Sequence, residues 1–176
     1  MELGGNNAII VTPDADVKMT VMGAVFGAVG TAGQRCTSTR RLIIHEDIYI
    51  EVRDAVVNAY KQIKIGNPLD QSNHVGPVID KVAVEMYSKA LEKVVKEGGN
   101  IIVEGGIMEG EGYESGCYVK PAIAEAKPDF HIVQEETFAP ILYLLKYSGP
   151  VTNAIEIQNN VTQLSLIHIS EPTRPL

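Results

Sequence analysis

Short β-type apolar runs alternate along this chain with segments whose apolar residues recur at helical spacing. That alternation narrows the possible folds more than any other feature. The run AIIV (Ala8 to Val11) is followed by Asp14 and Asp16, short carboxylates suited to capping a helix. Val17, Val21, Val25 and Val29 then recur every four residues. A second apolar run, inside RRLIIHE (Arg40 to Glu46), reads as a buried strand. Ile48, Val52, Ala55, Val56, Ala59, Tyr60 and Ile63 fall on one face of a second helix, which GNP (Gly66 to Pro68) stops. A third helix is expected from about Asp80 to Glu97, closed by Gly98-Gly99. IIVE, YVKPAIAEA and ILYLLKY read as strands, and VTNAIEIQNN as the start of a further helix. Strands separated by helices predict an α/β fold with a largely parallel sheet flanked by helices.

The 176 residues suffice for one domain with a real core. A net charge of −7 argues against nucleic acid or an anionic membrane as a partner, because both attract basic surfaces. No apolar run approaches the length of a membrane span, and MELGGNNAII has no basic segment leading into an apolar one. The two cysteines, Cys36 and Cys117, suggest no disulfide framework and so a reducing compartment. The histidines (His45, His74, His131 and His168) pair with nothing at metal-ligand spacing, and no metal is expected.

The last residues break the pattern. Leu164 to Arg174 resemble the translation of a common sequencing-library adapter, so Leu164 to Leu176 are set aside as a non-native tail, and the natural chain is expected to continue beyond Gln163.

Cys36 stands in GTAGQRCTS (Gly30 to Ser38), among small and polar residues with little to pack against. A thiol there suits nucleophilic work, which needs the thiolate and a reachable electrophile. The glycines let backbone N–H groups converge near it, where they would stabilise an oxyanion. By residue type alone, an inert half-exposed thiol fits as well. Cys117, with no activating neighbour, reads as inert. GAVFGAVG (Gly23 to Gly30) has the wrong spacing for a dinucleotide-binding turn and lies inside a helical run, so its small residues point to close helix packing.

ELGGNNAII (Glu2 to Ile10), GTAGQRCTSTRRL (Gly30 to Leu42), GNPLD with VGPVID, and EETFAPIL (Glu135 to Leu142) stand in an order and spacing that resembles the NAD-dependent aldehyde dehydrogenase superfamily. ELGGNN, GTAGQRCT and ETFAPI together are similar to its antiquitin branch, the α-aminoadipic semialdehyde dehydrogenases. The likeness runs from Glu2 to Gln163 and implies part of that family's catalytic domain, with NAD as cofactor and a small-molecule aldehyde as substrate. It implies Cys36 as the nucleophile, through a thiohemiacetal and a thioester, and Glu2 as the base that activates thiol or water. It implies Glu136 at the hydroxyls of the nicotinamide ribose, with Phe138, Leu3 and Gly4 near the nicotinamide. Arg35 would bind a distal carboxylate of the substrate, a task guanidinium geometry suits; lowering the thiol pKa is an equally good reading of its position.

The resemblance also implies what lies outside this sequence: the dinucleotide-binding domain and the oligomerisation strand. The isolated chain is therefore expected to be inactive, and the parent to be a homo-oligomer located in the cytoplasm, or in mitochondria if eukaryotic. A cysteine hydrolase would need a histidine aimed at Cys36, and no histidine has a familiar hydrolase context. A non-catalytic truncated homologue, serving as a binding or structural module, is the remaining alternative.

Overall fold

Residues 4–161 are described by a computed structural model. In it the apolar runs form strands β1 (Asn7–Val11), β2 (Thr39–His45), β3 (Asn100–Val103), β4 (Gly106–Ile107), β5 (Val119–Lys120), β6 (Ala122–Glu125) and β7 (Ile141–Tyr147). The helices are α1 (Val17–Val29), α2 (Tyr49–Tyr60), α3 (Lys81–Lys96), α4 (His131–Gln134) and α5 (Val151–Asn159). One sheet has the order β1-β2-β7-β6-β3, and β4 pairs with β5 in a separate two-stranded sheet. β1, β2, β7 and β6 are mutually parallel, and β3 runs antiparallel to β6 at the edge. The chain is an α/β fold with a largely parallel sheet.

β2 and β7 form the centre, with Leu42 opposite Leu144 and Ile43 opposite Leu145. A strand covered on both faces must be apolar throughout rather than at alternate positions. Leu42, Ile43 and Ile44 of β2 fit this, though its polar residues Thr39, Arg40, Arg41 and His45 are buried as well, and in β7 only Lys146 is exposed. Each fully buried leucine or isoleucine here contributes about 1.5–3 kcal/mol relative to exposure.

Asp16 caps α1, its carboxylate accepting the Met19 N–H at 2.9 Å, whereas Asp14 accepts the Thr12 hydroxyl instead. The valine stripe of α1 is not its most buried face. Ala24, Ala28 and Val29 are buried, while Val17, Val21 and Val25 are half-buried and Met19, Met22 and Phe26 are exposed. Residues four apart precess by roughly 40° per step around a helix with 3.6 residues per turn, so a four-residue stripe drifts off any fixed face. Gly27 explains the close approach of α1 to the sheet: a β-carbon there would collide with the Thr39 side chain. Gly23, by contrast, has nothing within 4 Å of that position.

α2 buries Tyr49, Val52, Val56 and Tyr60 and ends three residues earlier than the apolar spacing suggests. Ile48 belongs to a 3-10 turn before it and Ile63 to the loop after it, both half-buried against the core. α3 is capped by Asp80 through the Ala83 N–H at 2.8 Å. It ends as foreseen, with Gly98 at φ +90° and the Gly99 N–H donating to Val94 O at 2.8 Å. YVKPAIAEA is not one strand. Pro121 has no N–H to give a ladder, and the chain breaks there into β5 and β6, which join different sheets.

Candidate active site

Cys36 follows a short 3-10 segment, Gly30–Gly33, in which Thr31 (φ 54°), Ala32 (φ 53°) and Gly33 (φ 69°) are all left-handed. Two consecutive non-glycine residues in that region cost roughly 1–2 kcal/mol each, strain of the kind that gathers at functional sites. The segment throws the chain into a turn that presents Cys36 half-buried, with its thiol free. Asn7 in β1 holds this turn, its side-chain amide donating to Cys36 O at 2.6 Å and to Ser38 O at 3.2 Å. The Ser38 hydroxyl accepts the Arg35 N–H at 3.1 Å, and the Ser38 N–H donates to Arg35 O at 3.0 Å. The Cys36 N–H donates to no acceptor among the described residues, which leaves it available to an oxyanion beside the sulfur.

Arg35 turns its guanidinium toward α1. Nε donates to Thr31 Oγ1 at 2.8 Å, and the charge lies 5.3 Å from the centre of the Phe26 ring. Gly30 makes this possible, since a β-carbon there would stand 3.3 Å from Arg35 Nη1. The exposed guanidinium lines a groove of about 830 Å³ between α1 and α2, together with Met22, Phe26 and His74.

Glu136 and Phe138 lie on the loop after α4. One oxygen of Glu136, Oε1, accepts from Arg40 Nη2 at 3.2 Å; the other has no hydrogen-bond partner among the described residues. Glu136 lines a cavity of about 130 Å³ against α3, together with Met86, Lys89 and Lys93. Phe138 keeps 38% of its surface exposed. Its neighbour Glu135 is engaged elsewhere, pairing with Lys93 at 2.9 Å and His131 at 3.0 Å. Gly4 is half-buried at the start of the described chain. Glu2 and Leu3 lie outside the described residues, as do residues 162–176, which include the expected tail Leu164 to Leu176.

Two arginines missed in the sequence organise the site. Arg40 is 2% exposed. Its Nε donates to Gly5 O at 3.2 Å, Nη1 to Thr137 O at 2.6 Å and Gly33 O at 3.3 Å, and Nη2 to Arg35 O at 3.3 Å. Its carbon Cζ also stands 5.2 Å from the centre of the Phe138 ring. Burial lowers the Arg40 pKa, and the Glu136 carboxylate partly opposes that. Arg41, also buried, donates to Asn6 and to Gln158 and Ile157 at the end of α5. Burial, with no carboxylate beside it, lowers its pKa to about 10. The signal was present in RRLIIHE: two charges inside a strand read as buried must each have a dedicated set of acceptors.

The turn that carries the Cys36 thiol and its backbone donor, and the loop that carries the half-free Glu136 carboxylate, are thus tied together by one arginine from two distant stretches of sequence. Residues 1–165 match the model of the family described as "Aldehyde dehydrogenase family". The chain belongs to the aldehyde dehydrogenase family. It is 44% identical over 163 residues to "Aldehyde dehydrogenase family 7 member A1" of Pisum sativum, covering 93% of this chain and 31% of that protein. It is 47% identical to "Alpha-aminoadipic semialdehyde dehydrogenase" of Rattus norvegicus, covering 93% of this chain and 30% of that protein. Among solved structures, a 3,6-anhydro-L-galactose dehydrogenase in complex with NAP superposes with a TM-score of 0.86 at 29% identity, over 90% of this chain and 33% of the other. A betaine aldehyde dehydrogenase of Staphylococcus aureus in complex with NAD+ gives 0.86 at 28% identity, over 90% and 32%. This aldehyde dehydrogenase chain therefore spans about a third of the length of the relatives it matches.

Proposed function

We propose that this chain is the cysteine-bearing part of an NAD-dependent aldehyde dehydrogenase that oxidises α-aminoadipic semialdehyde, or a similar acidic semialdehyde, to a carboxylate. The observation that carries the reading is the turn at Cys36, where a reachable thiol stands beside a backbone N–H with no partner among the described residues.

The Cys36 thiolate adds to the aldehyde carbon, and the Cys36 N–H receives the developing oxyanion. A nicotinamide dinucleotide, which Glu136 and Phe138 would help to hold, would supply the acceptor for the hydride lost from the thiohemiacetal carbon. The thioester that remains on Cys36 is cleaved by water, which Glu2 deprotonates in this reading; the acid departs and the thiol is restored. Glu136 suits the cofactor, because it lines a small cavity and keeps one carboxylate oxygen without a partner among the described residues, to which vicinal ribose hydroxyls would donate. Phe138, Leu3 and Gly4 would flank the nicotinamide. Arg35 supports the acidic substrate, as its exposed guanidinium lines a separate apolar groove and offers a carboxylate a charge-assisted contact. A homo-oligomeric parent in the cytoplasm or mitochondria belongs to the same reading, and two free cysteines suit a reducing compartment.

The test is a chimera in which residues 1–163 replace the matching segment of the rat α-aminoadipic semialdehyde dehydrogenase. NADH formation at 340 nm with α-aminoadipic semialdehyde is expected, with loss in Cys36→Ser and none from the 176-residue chain alone. A folded chimera that forms no NADH, or a Cys36→Ser chimera that still does, overturns the reading, and NADH from the isolated chain overturns its inactivity.

A further inference from the structure

We propose that Arg40 is a positioning residue that ties the reactivity of Cys36 to whatever engages Glu136. The inference rests on reading Cys36 as the nucleophile and Glu136 as a nucleotide contact.

The geometry is that of a single buried cation shared among the segments that make the site. Through Gly5 O it holds the stretch that follows Glu2, Leu3 and Gly4. Through Gly33 O and Arg35 O it holds the two sides of the turn that presents Cys36. Through Thr137 O and Glu136 Oε1 it holds the loop after α4. One nitrogen, Nη2, serves both the residue next to the cysteine and the carboxylate. A guanidinium is a rigid plane, so a shift of one of these partners is felt by the others. Arg40 is 2% exposed and gives one nitrogen both to the Glu136 carboxylate and to the carbonyl next to Cys36. With the Tyr143 hydroxyl also within its field, a thiolate at Cys36 and the carboxylate compete for one cation in a largely dry setting.

Among the described residues the titratable groups that act on the guanidinium are Glu136, Tyr143 and Cys36. Glu136 is the carboxylate paired with it, at 3.2 Å, while Glu135 is taken up by Lys93 and His131, and Arg35 points away toward Phe26. When hydroxyl groups donate to Glu136, its carboxylate neutralises Arg40 less, and more of the positive charge is left to the sulfur. Occupancy of the small cavity against α3 thereby favours the thiolate at Cys36 across the protein backbone, without a direct contact between ligand and sulfur.

The experiment reads thiol alkylation, not turnover. Iodoacetamide modification of Cys36 and Cys117 is followed by mass spectrometry in the 176-residue chain, with Cys117 as internal control and far-UV circular dichroism as the check on folding. Arg40→Met should slow Cys36 on the order of fivefold or more, because the cation is gone. Glu136→Gln should speed it by roughly twofold or more, because the competing carboxylate is neutral. Arg40→Lys should recover part of the rate, and Cys117 should not respond in any variant. Loss of structure exposes both cysteines together, so the opposed shifts at Cys36 cannot come from loosening. If Arg40→Met does not fold, Glu136→Gln decides. A Cys36 rate unchanged within twofold in Glu136→Gln, shifts of the same sign in both variants, or parallel movement of Cys117 would overturn the proposal. A chimera that forms no NADH while the opposed shifts persist sinks the dehydrogenase reading and leaves the role of Arg40 standing.

Discussion

Gly33 lies directly against the carbonyl of Ala139: a β-carbon built on it would sit 2.8 Å from Pro140 N and closer still to Ala139 C and O. The turn before the cysteine is thereby seated on the loop that carries Glu136 and Phe138. Gly33 also has a φ of 69°, which disfavours any side chain. Gly33→Ala should destabilise the chain by about 1–3 kcal/mol and more if the backbone cannot yield. Urea denaturation followed by circular dichroism checks this. A midpoint equal to that of the unmodified chain would show that the two segments are not wedged as described.

Arg41 is a buried cation bonded to neutral groups. Removing it strands the Asn6 side-chain oxygen, since Arg41 Nε is its donor at 3.1 Å. The Asn6 amide group would still reach Val133 O at 2.7 Å. Arg41→Met, of similar volume, is expected to cost about 2 kcal/mol, the penalty of leaving buried acceptors unpaired offset by one fewer buried charge. The denaturation midpoint should fall while the slope against urea stays the same.

Stability should collapse in alkali. Burial raises the pKa of Tyr49, Tyr60 and Tyr143, and that of Tyr87 to about 12. A tyrosine that keeps its proton longer when folded contributes stability that is complete below pH 10, its unfolded value, and is lost as pH climbs from 10 toward the folded value. For Tyr87 alone that amounts to about 3 kcal/mol. Absorbance at 295 nm should therefore rise cooperatively above pH 10, together with loss of the helical signal. Smooth, independent ionisation of the buried tyrosines without unfolding is the contrary outcome.

Arg35 should set substrate preference rather than chemistry. In the chimera, Arg35→Met is expected to lower kcat/KM for a carboxylated aldehyde on the order of ten- to a hundredfold, the worth of a hydrogen bond to a charged group. An uncharged aldehyde of the same length should change by less than about threefold. Equal losses on both substrates would assign Arg35 to the thiol instead.

Much of this was legible in the sequence, for a physical reason in each case. β2 and β7 announce themselves because strands buried on both faces must be apolar without alternation, and Asp16, Asp80 and the pair Gly98-Gly99 are local signals acting over one helical turn. Cys36 stood out by its unsuitable surroundings. Arg40 and Arg41 did not, because their partners (Gly5, Thr137, Gln158) are far away in sequence and the meaning of a buried charge lies in those partners. The break at Pro121 was visible in principle, since a residue without an N–H interrupts a ladder. The drift of the α1 valines away from the core was not, because spacing alone does not say which face the sheet will meet.

The strand order carries a consequence for how the chain is made. β7 is synthesised well after β2 and after β6 beside it, yet it slots between β2 and β6 in the middle of the sheet. A nascent chain that has completed β2 must wait for roughly a hundred further residues, on the order of five to twenty seconds of translation, before its inner edge can be paired. Throughout that interval Leu42, Ile43 and Ile44 lack the strand that will cover their backbone edge, so the emerging polypeptide carries an unpaired, aggregation-prone apolar edge.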